Sequence, residues 1–532
     1  MEPPTSHSRR TSLTALAALL CLSACSARIP DETARTDPAA SSADRSEESP
    51  PLRSPRHTDR PSLDSGEDDA PAPRGTERWR MTRPVTNGQI EGYVDRPGSP
   101  PGTVVGVRVS TGDPSFHVDV YRIGAYHGGS GHRVWRSRSL PGRRQAPPHF
   151  SHPDTRTVVA GWRDSVRVDT TGWEPGAYLF RFTGSSGWQA AAPYVVTSPS
   201  VVGRVVLVAP VTTWQAYNRW GGYSLYFGPE GDRRAWRVSF DRPYYLAGAG
   251  EFQFTLAPVA IQAEATGVDL AYLTNLDLDA DPHALDGAVG YVSTGHDEYW
   301  TPAMRRTVER ARAHGTNLAF LAANTLYWRV RVTDGPPGRA GDVVGYRYDA
   351  WRDPWPVEEE RTGRWRDAPA PNPERRLIGP EYECFPVDAP FTVVSPRWWG
   401  FRGTGVRKGT AFPHLMGDEA DRVYPIPGTP RPLQVLSHGT YDCRGVTTSG
   451  QSTYYVHPSG AGAVATGTLR WTCGLTGMCF GMRLEPRTVR FVRTVTRTLV
   501  TEFAEGPVGK RYPVRDNVER FDLPSVNEVD AS

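Results

Sequence analysis

The stretch AVGYVSTGHDEYWTPAMRRTVERARAHGTNLAFLAANTLYW, residues 288–328, holds two short apolar runs, Ala288–Ser293 and Asn317–Ala322, with a helix between them. Thr301 stands at the N-cap, Pro302 at the first helical position and Gly315 past the end. Met304, Val308 and Ala311 share one face. Arg204–Ala209 and Asp269–Leu273 repeat the buried-strand type, and another helical run, about Pro258–Thr266, stops at Gly267. Strands that alternate with helices predict βαβ units and a parallel sheet, here over residues 199–527. Ahead of it, residues 80–198 carry short alternating runs between Gly and Pro turns, such as Thr103–Val109, Ser115–Arg122 and Ala177–Phe182. That pattern predicts a small antiparallel β-sandwich.

The N-terminus reads as an address. Arg9 and Arg10 precede the apolar run Leu13–Leu22, which is too short to span a bilayer. It ends in Leu22-Ser-Ala-Cys25, which resembles a bacterial lipobox; residues 1–24 are then a lipoprotein signal peptide and Cys25 the acylated residue. Ser8–Leu13 also resembles a twin-arginine signal with Ser12 in place of the usual Phe, so Sec and twin-arginine export both stay open. Residues 25–79 are rich in Pro, Ser, Asp, Glu and Arg, and this composition predicts a disordered tether because little burial offsets its ordering entropy. The expected location is the extracellular face of the cell membrane, held by the lipid.

With 16 Trp and 22 Tyr in 532 residues, the remainder is a folded, aromatic-rich body. Its 61 basic and 58 acidic residues leave a net charge of +3 and no field that would draw nucleic acid. Only Lys408 and Lys510 are lysines, and no phosphate-binding P-loop occurs. Once Cys21 leaves with the signal and Cys25 carries lipid, Cys384, Cys443, Cys473 and Cys479 remain in an oxidising compartment. Pairing of Cys384 with Cys443 and of Cys473 with Cys479 is expected, since the Gly-Leu-Thr-Gly-Met loop closes easily. The spacings match no zinc pattern.

In a parallel sheet, ligands bind beyond the carboxyl ends of the strands. The third strand delivers Gly295-His-Asp-Glu-Tyr-Trp300 there and the fourth delivers Asn324-Thr-Leu-Tyr-Trp328. An imidazole (His296), carboxylates (Asp297, Glu298), phenols (Tyr299, Tyr327) and an amide (Asn324) therefore gather on one rim. Each also has a plainer explanation: Tyr-Trp pairs plug core tops, a lone His is more often hydrogen-bonded than catalytic, and Asp297 and Glu298 complement the dipole of the following helix. No Cys lies between Cys25 and Cys384, no Gly-x-Ser-x-Gly elbow frames Ser293, and these strand ends carry no His-x-x-His or His-Glu-x-x-His spacing. Covalent acyl transfer is disfavoured, and a metal held by oxygen ligands gains weight.

Five runs in fixed order, Ala209–Asn218, Gly295–Trp300, Asn324–Trp328, Gly417-Asp-Glu-Ala-Asp-Arg422 and Gly467-Thr-Leu-Arg-Trp471, resemble the C-terminal domain of the N,N-dimethylformamidase large (beta) subunit family. The resemblance spans about residues 201–527 and implies a class I glutamine-amidotransferase-like α/β parallel-sheet domain behind the small sandwich, without the cysteine. It further implies an amide C–N hydrolase with a mononuclear Fe(III) held by Tyr299, Tyr327 and a glutamate, Glu419, with Glu383 in reserve. His296 and Glu298 would shuttle protons and Asn324 would orient the carbonyl. The expected substrate is a small amide. That family works with a small partner subunit, so a partner or a homo-oligomer is open. The competing reading is a surface-anchored ligand-binding lipoprotein with a catalytically silent α/β domain.

Overall fold

The protein is described by a computed structural model over residues 73–229, 233–248, 250–335 and 339–525. The signal-peptide segment, Cys25 and nearly all of the tether lie outside the described residues.

The first strands form two facing sheets. Ile90–Val94, Val104–Thr111 and Val166–Asp169 make a three-stranded antiparallel sheet. The other has the order Gly98–Ser99, Gln189–Val196, Gly176–Gly184, Ser115–Tyr126, Gly129–Arg136, with Leu140–Pro141 paired to Ser115–Tyr126. Their inner faces share one core that includes Ile90, Val107, Val118, Phe180 and Tyr194. This follows from period-two alternation, which sends every second apolar side chain inward. Asp119 sits fully buried in the second sheet, where Arg181 reaches it at 2.9 Å and His117 at 3.2 Å. Burial alone would raise its carboxyl pKa, but those partners hold it down at about 2. A carboxyl depressed in the native state stabilises the fold above its unfolded pKa and loses that contribution as pH falls through the native one. Acid unfolding followed by circular dichroism should therefore show a loss of stability between about pH 4 and pH 2 that Asp119→Asn removes.

A second body holds a seven-stranded sheet in the order Leu270–Thr274, Val205–Ala209, Gly290–Ser293, Asn317–Phe320, Gly462–Ala465, Val446–Val456, Leu433–Cys443. The first five are parallel; Val446–Val456 runs antiparallel to Gly462–Ala465, and Leu433–Cys443 pairs antiparallel with Val446–Val456 as the edge strand of a hairpin. The helix Pro302–Ala313 follows its sequence signals: Thr301 accepts a hydrogen bond from the Met304 amide at 3.1 Å, and Gly315 takes φ +101° past the end. The helix Leu256–Glu264 lies against the strand Ser115–Tyr126 and joins the two bodies. Glu264 there meets Arg122 at 2.8 Å and accepts from the Ala125 amide at 3.0 Å. A Cβ at Gly124 would stand 1.8 Å from the Glu264 carboxylate and would push it off Arg122 and the Ala125 amide.

The expected class I amidotransferase-like α/β parallel-sheet domain is corrected by this architecture. The chain is β-rich: small antiparallel or mixed sheets dominate, and the largest sheet is itself mixed. The physical cause lies in residues 381–456. Glu381–Thr392, Ala411–Arg422, Leu433–Cys443 and Val446–Val456 are strands of 11 or 12 residues. Antiparallel neighbours connect by tight turns, such as Arg444-Gly445 with both residues at positive φ, and need no crossover helix. The helices Val211–Tyr217 and Asn275–Ala280 are correspondingly short, of 7 and 6 residues.

Both expected disulfides are present. Cys384–Cys443 joins Glu381–Thr392 to Leu433–Cys443 across 59 residues, and Cys473–Cys479 closes a separation of 6.

Candidate functional site

Backbone turns at the strand ends set the site. After Gly290–Ser293 the chain turns at Gly295, whose φ is +121° and whose Cβ would meet Thr255 at 2.8 Å, so a side chain is excluded by both conformation and space. The chain then forms the short strand Tyr299–Trp300, which pairs in parallel with Trp328–Arg329. Thr212 and Thr213 anchor this segment: Thr213 accepts from the Glu298 amide at 3.0 Å, and Thr212 donates to the Tyr299 carbonyl at 2.7 Å. Asn324 is held at φ +54° by its own amide, which donates to Asp421 at 2.8 Å.

Four of the residues singled out in the sequence come together: His296 and Asn324 both reach Glu419, and Glu298 approaches His296. His296 Nε2 lies 3.1 Å from Glu419 Oε2 and 3.6 Å from Glu298 Oε2, all three side chains being buried. Asn324 Nδ2 donates to Glu419 Oε1 at 3.0 Å. Glu419 comes from the strand Ala411–Arg422 and is brought to this rim by its carbonyl, which accepts from the Leu469 amide. Its second oxygen accepts no hydrogen bond; the approach of His296 is an ion contact rather than an aligned bond. Burial would push the His296 imidazole down, but Glu419 foremost, then Glu298 and Glu251, bring it up to about 9. The neighbouring carboxyl groups thus favour the protonated imidazole. Burial raises Asp297 to about 7 despite hydrogen bonds from Ser293 and Trp300, and Glu298 is raised by burial too.

Glu298 is gripped by two phenols that the sequence reading did not single out. Tyr217 donates to Oε2 at 2.7 Å, and the Tyr226 hydroxyl lies 2.7 Å from Oε1. The two rings stack at 4.3 Å, and the buried Arg347 guanidinium covers Tyr226 at 3.7 Å. Tyr217 lay within the quoted run Ala209–Asn218. Tyr226 and Arg347 carried no local signal, because only tertiary packing carries them to Glu298.

Tyr299 is fully buried, its ring facing those of Tyr217 at 6.4 Å and Tyr226 at 6.2 Å and stacking on Trp328 at 6.5 Å. Tyr327 packs on Trp328 at 4.8 Å and on Tyr382 at 5.1 Å, so Trp328 touches both phenol rings. Glu383 lies elsewhere, bound to Arg422 at 3.2 Å and to Tyr424 and Thr448. Among the described residues no three His, Cys, Asp or Glu side chains are grouped to hold a metal ion, so a metal here would need phenol oxygens. Hard anionic oxygens of phenol and carboxylate suit a trivalent cation, and Glu419 Oε2, which faces His296, is an oxygen of that kind.

His296 opens on a small recess lined by Tyr217, Glu251, Phe254, Thr255, Leu469 and Phe480, among others. A larger cleft of about 490 Å³, lined by Glu91, Arg219, Trp220 and Tyr245, contains none of the residues of this cluster.

A buried acid–imidazole–acid cluster ringed by tyrosines thus lies at strand ends of a β-rich protein. Residues 117–483 match the family described as N,N-dimethylformamidase beta subunit-like, C-terminal, and the chain belongs to that family. It is a dimethylformamidase-like protein, and a family named for a beta subunit is compatible with a partner subunit. No curated protein matches the chain. Among solved structures it is similar to a crystal structure of Paenibacillus sp. cycloisomaltooligosaccharide glucanotransferase complexed with cycloisomaltoheptaose. That likeness has 8% identity and a TM-score of 0.15, over 49% of this chain and 34% of the other, too low to carry an argument.

Proposed function

We propose that the protein is an exported, iron-dependent amidohydrolase that cleaves the C–N bond of a small N-substituted amide. The observation that carries this reading is the buried Glu298–His296–Glu419 cluster beside Tyr299, within a chain of the dimethylformamidase family. Tyr299, Tyr327 and Glu419 are the proposed iron ligands. Bound Fe(III) would supply Lewis-acid activation of a carbonyl oxygen and of water. His296 is placed to pass a proton to the departing amine nitrogen, while Glu298, held by Tyr217 and Tyr226, is placed to accept the proton that the attacking water loses. Asn324 fixes Glu419 through its amide, a positioning role in place of the carbonyl-orienting one expected from sequence.

One observation favours a second donor set. The oxygens of Tyr217, Tyr226 and Glu298 already meet within 2.7–2.9 Å of one another, two phenols and a carboxylate of the same chemistry. Metal content of Tyr217→Phe against Tyr299→Phe separates the two.

Iron analysis of the purified mature protein, together with amine release from a panel of N-alkyl amides, tests the whole reading. A folded, metal-free protein that hydrolyses none of them would leave the surface-anchored binding protein as the better description. Anchoring at Cys25, which lies outside the described residues, is part of the proposal. Cys25→Ala should move the protein from the membrane fraction to the soluble one, and an unchanged distribution with no lipid mass on the mature N-terminus would disprove it.

A further inference from the structure

The cleft of about 490 Å³ lies between the sandwich and the sheet body. Glu91, on the strand Ile90–Val94, lines it from the sandwich, while Arg219, Trp220, Phe227 and Tyr245 come from the segment between the helices Val211–Tyr217 and Gly250–Phe254. Hydrogen bonds and packing fix these walls. The Asn218 side-chain oxygen accepts from the Trp220 amide at 3.1 Å and from the Tyr245 amide at 2.9 Å. Trp220 is buried edge-on against Trp162 at 5.7 Å, and its indole nitrogen donates to Glu91 Oε1 at 2.8 Å. Gly221, at φ +73°, lies so close to the strand Thr157–Val159 that a Cβ would meet Val158 at 2.5 Å. Two opposite charges stay open in this frame. The Arg219 guanidinium lies 4.2 Å from the Tyr245 ring centroid and 5.5 Å from that of Phe227. Its Nε is buried without a hydrogen-bond partner, which is costly for a donor, and among the described residues no carboxylate pairs with it. Glu91 Oε2 likewise accepts no hydrogen bond among the described residues.

We propose that this cleft is a second ligand site, for a small zwitterion of the dipeptide class: Arg219 takes the carboxylate, Glu91 the ammonium, and Phe227 with Leu246 the apolar side chain. A guanidinium laid over a ring is held in place and meets a carboxylate with two parallel N–H bonds. Glu91 in the same cleft repels a simple anion and attracts an ammonium, so a ligand that carries both charges fits where phosphate does not. Phe227 and Leu246 line the cleft with apolar side chains that are 40% and 36% exposed, an uncovered surface for the ligand's own apolar group. The volume sets the size: sites of about 300–1,000 Å³ enclose ligands larger than a single amino acid. None of these residues belongs to the Glu298–His296–Glu419 cluster, and the inference does not rest on amide hydrolysis.

The test is ligand-observed NMR with alanyl-phenylalanine, its C-terminal amide and its N-acetyl derivative, titrated into the wild type, Arg219→Gln and Glu91→Gln. The wild type should bind the free dipeptide, and capping either end should weaken binding about tenfold or more, since each cap removes one charge-assisted pair. Arg219→Gln should erase the penalty of the amide and keep that of the acetyl group. Glu91→Gln should do the reverse, with its side-chain oxygen still able to accept from Trp220. The capped peptides probe both contacts without any mutation, so the inference stays testable even where a variant does not fold. No binding of the free dipeptide at millimolar concentration, equal affinity for the three peptides, or cap penalties that both variants leave unchanged overturns it. Amide turnover and iron content play no part in the readout, so failure of the amidohydrolase reading leaves the result of this test intact.

Discussion

Replacing Tyr299 or Tyr327 by Phe in iron-replete protein is expected to bleach the visible phenolate-to-iron absorption, lower iron content and reduce amide hydrolysis by about 100-fold or more. A free phenol has a pKa near 10, so ionising it at pH 7 costs about 4 kcal/mol, which only a strongly charged cation repays. Phe removes one oxygen and keeps the ring. The packing of Tyr299 on Tyr217, Tyr226 and Trp328, and of Tyr327 on Trp328 and Tyr382, is therefore preserved, and the fold should survive. Glu419→Gln should lose metal as well. Glu383→Gln should keep it, because that carboxylate is engaged with Arg422, Tyr424 and Thr448. Iron and colour that persist in both phenol variants but vanish in Tyr217→Phe and Glu298→Gln would move the metal to the second donor set.

Removing the Cys384–Cys443 bridge should cost the exported protein about 4 kcal/mol of stability, the loop-entropy value for a closure of about 60 residues. Cys384 and Cys443 are buried with Val387, Met416 and Tyr441 in a small core of their own. That core joins Glu381–Thr392 to Leu433–Cys443, and the strand Ala411–Arg422 that carries Glu419 pairs with the first of these. A Cys384→Ser/Cys443→Ser double variant should therefore unfold at lower denaturant and also bind iron more weakly. Equal midpoints for the variant and the parent in urea would disprove the stability claim, and four free thiols in the native protein would disprove the pairing altogether.

The rim of the site was legible because its determinants are local. Gly295–Trp300 and Asn324–Trp328 each follow a short apolar strand, and position in a strand sequence suffices to place His296, Glu298, Tyr299 and Asn324 at its end. Thr301, Pro302 and Gly315 marked the helix between them for the same reason: capping acts within a few residues. The resemblance carried Glu419 to the site when nothing in its own neighbourhood pointed there, and the contact with His296 is made across 123 positions of sequence.

The fold class was misjudged where the chain between residues 381 and 456 decides it. Alternating strands there form antiparallel hairpins, and the sheet that four apolar runs suggested to be parallel is completed as a mixed one within a β-rich protein. By itself the sequence determined the strand-end motifs, the bracketed helix and the family motifs, which depend on neighbours in the chain or on matched runs, and both cysteine pairings, the longer following once the short Cys473–Cys479 loop is closed. Only the tertiary structure decided that Tyr217 and Tyr226 grip Glu298, that Arg347 covers Tyr226, and that Phe254 and Phe480 close the recess. These contacts join residues up to 226 positions apart, and their energies come from burial and aligned charge, which no local pattern encodes.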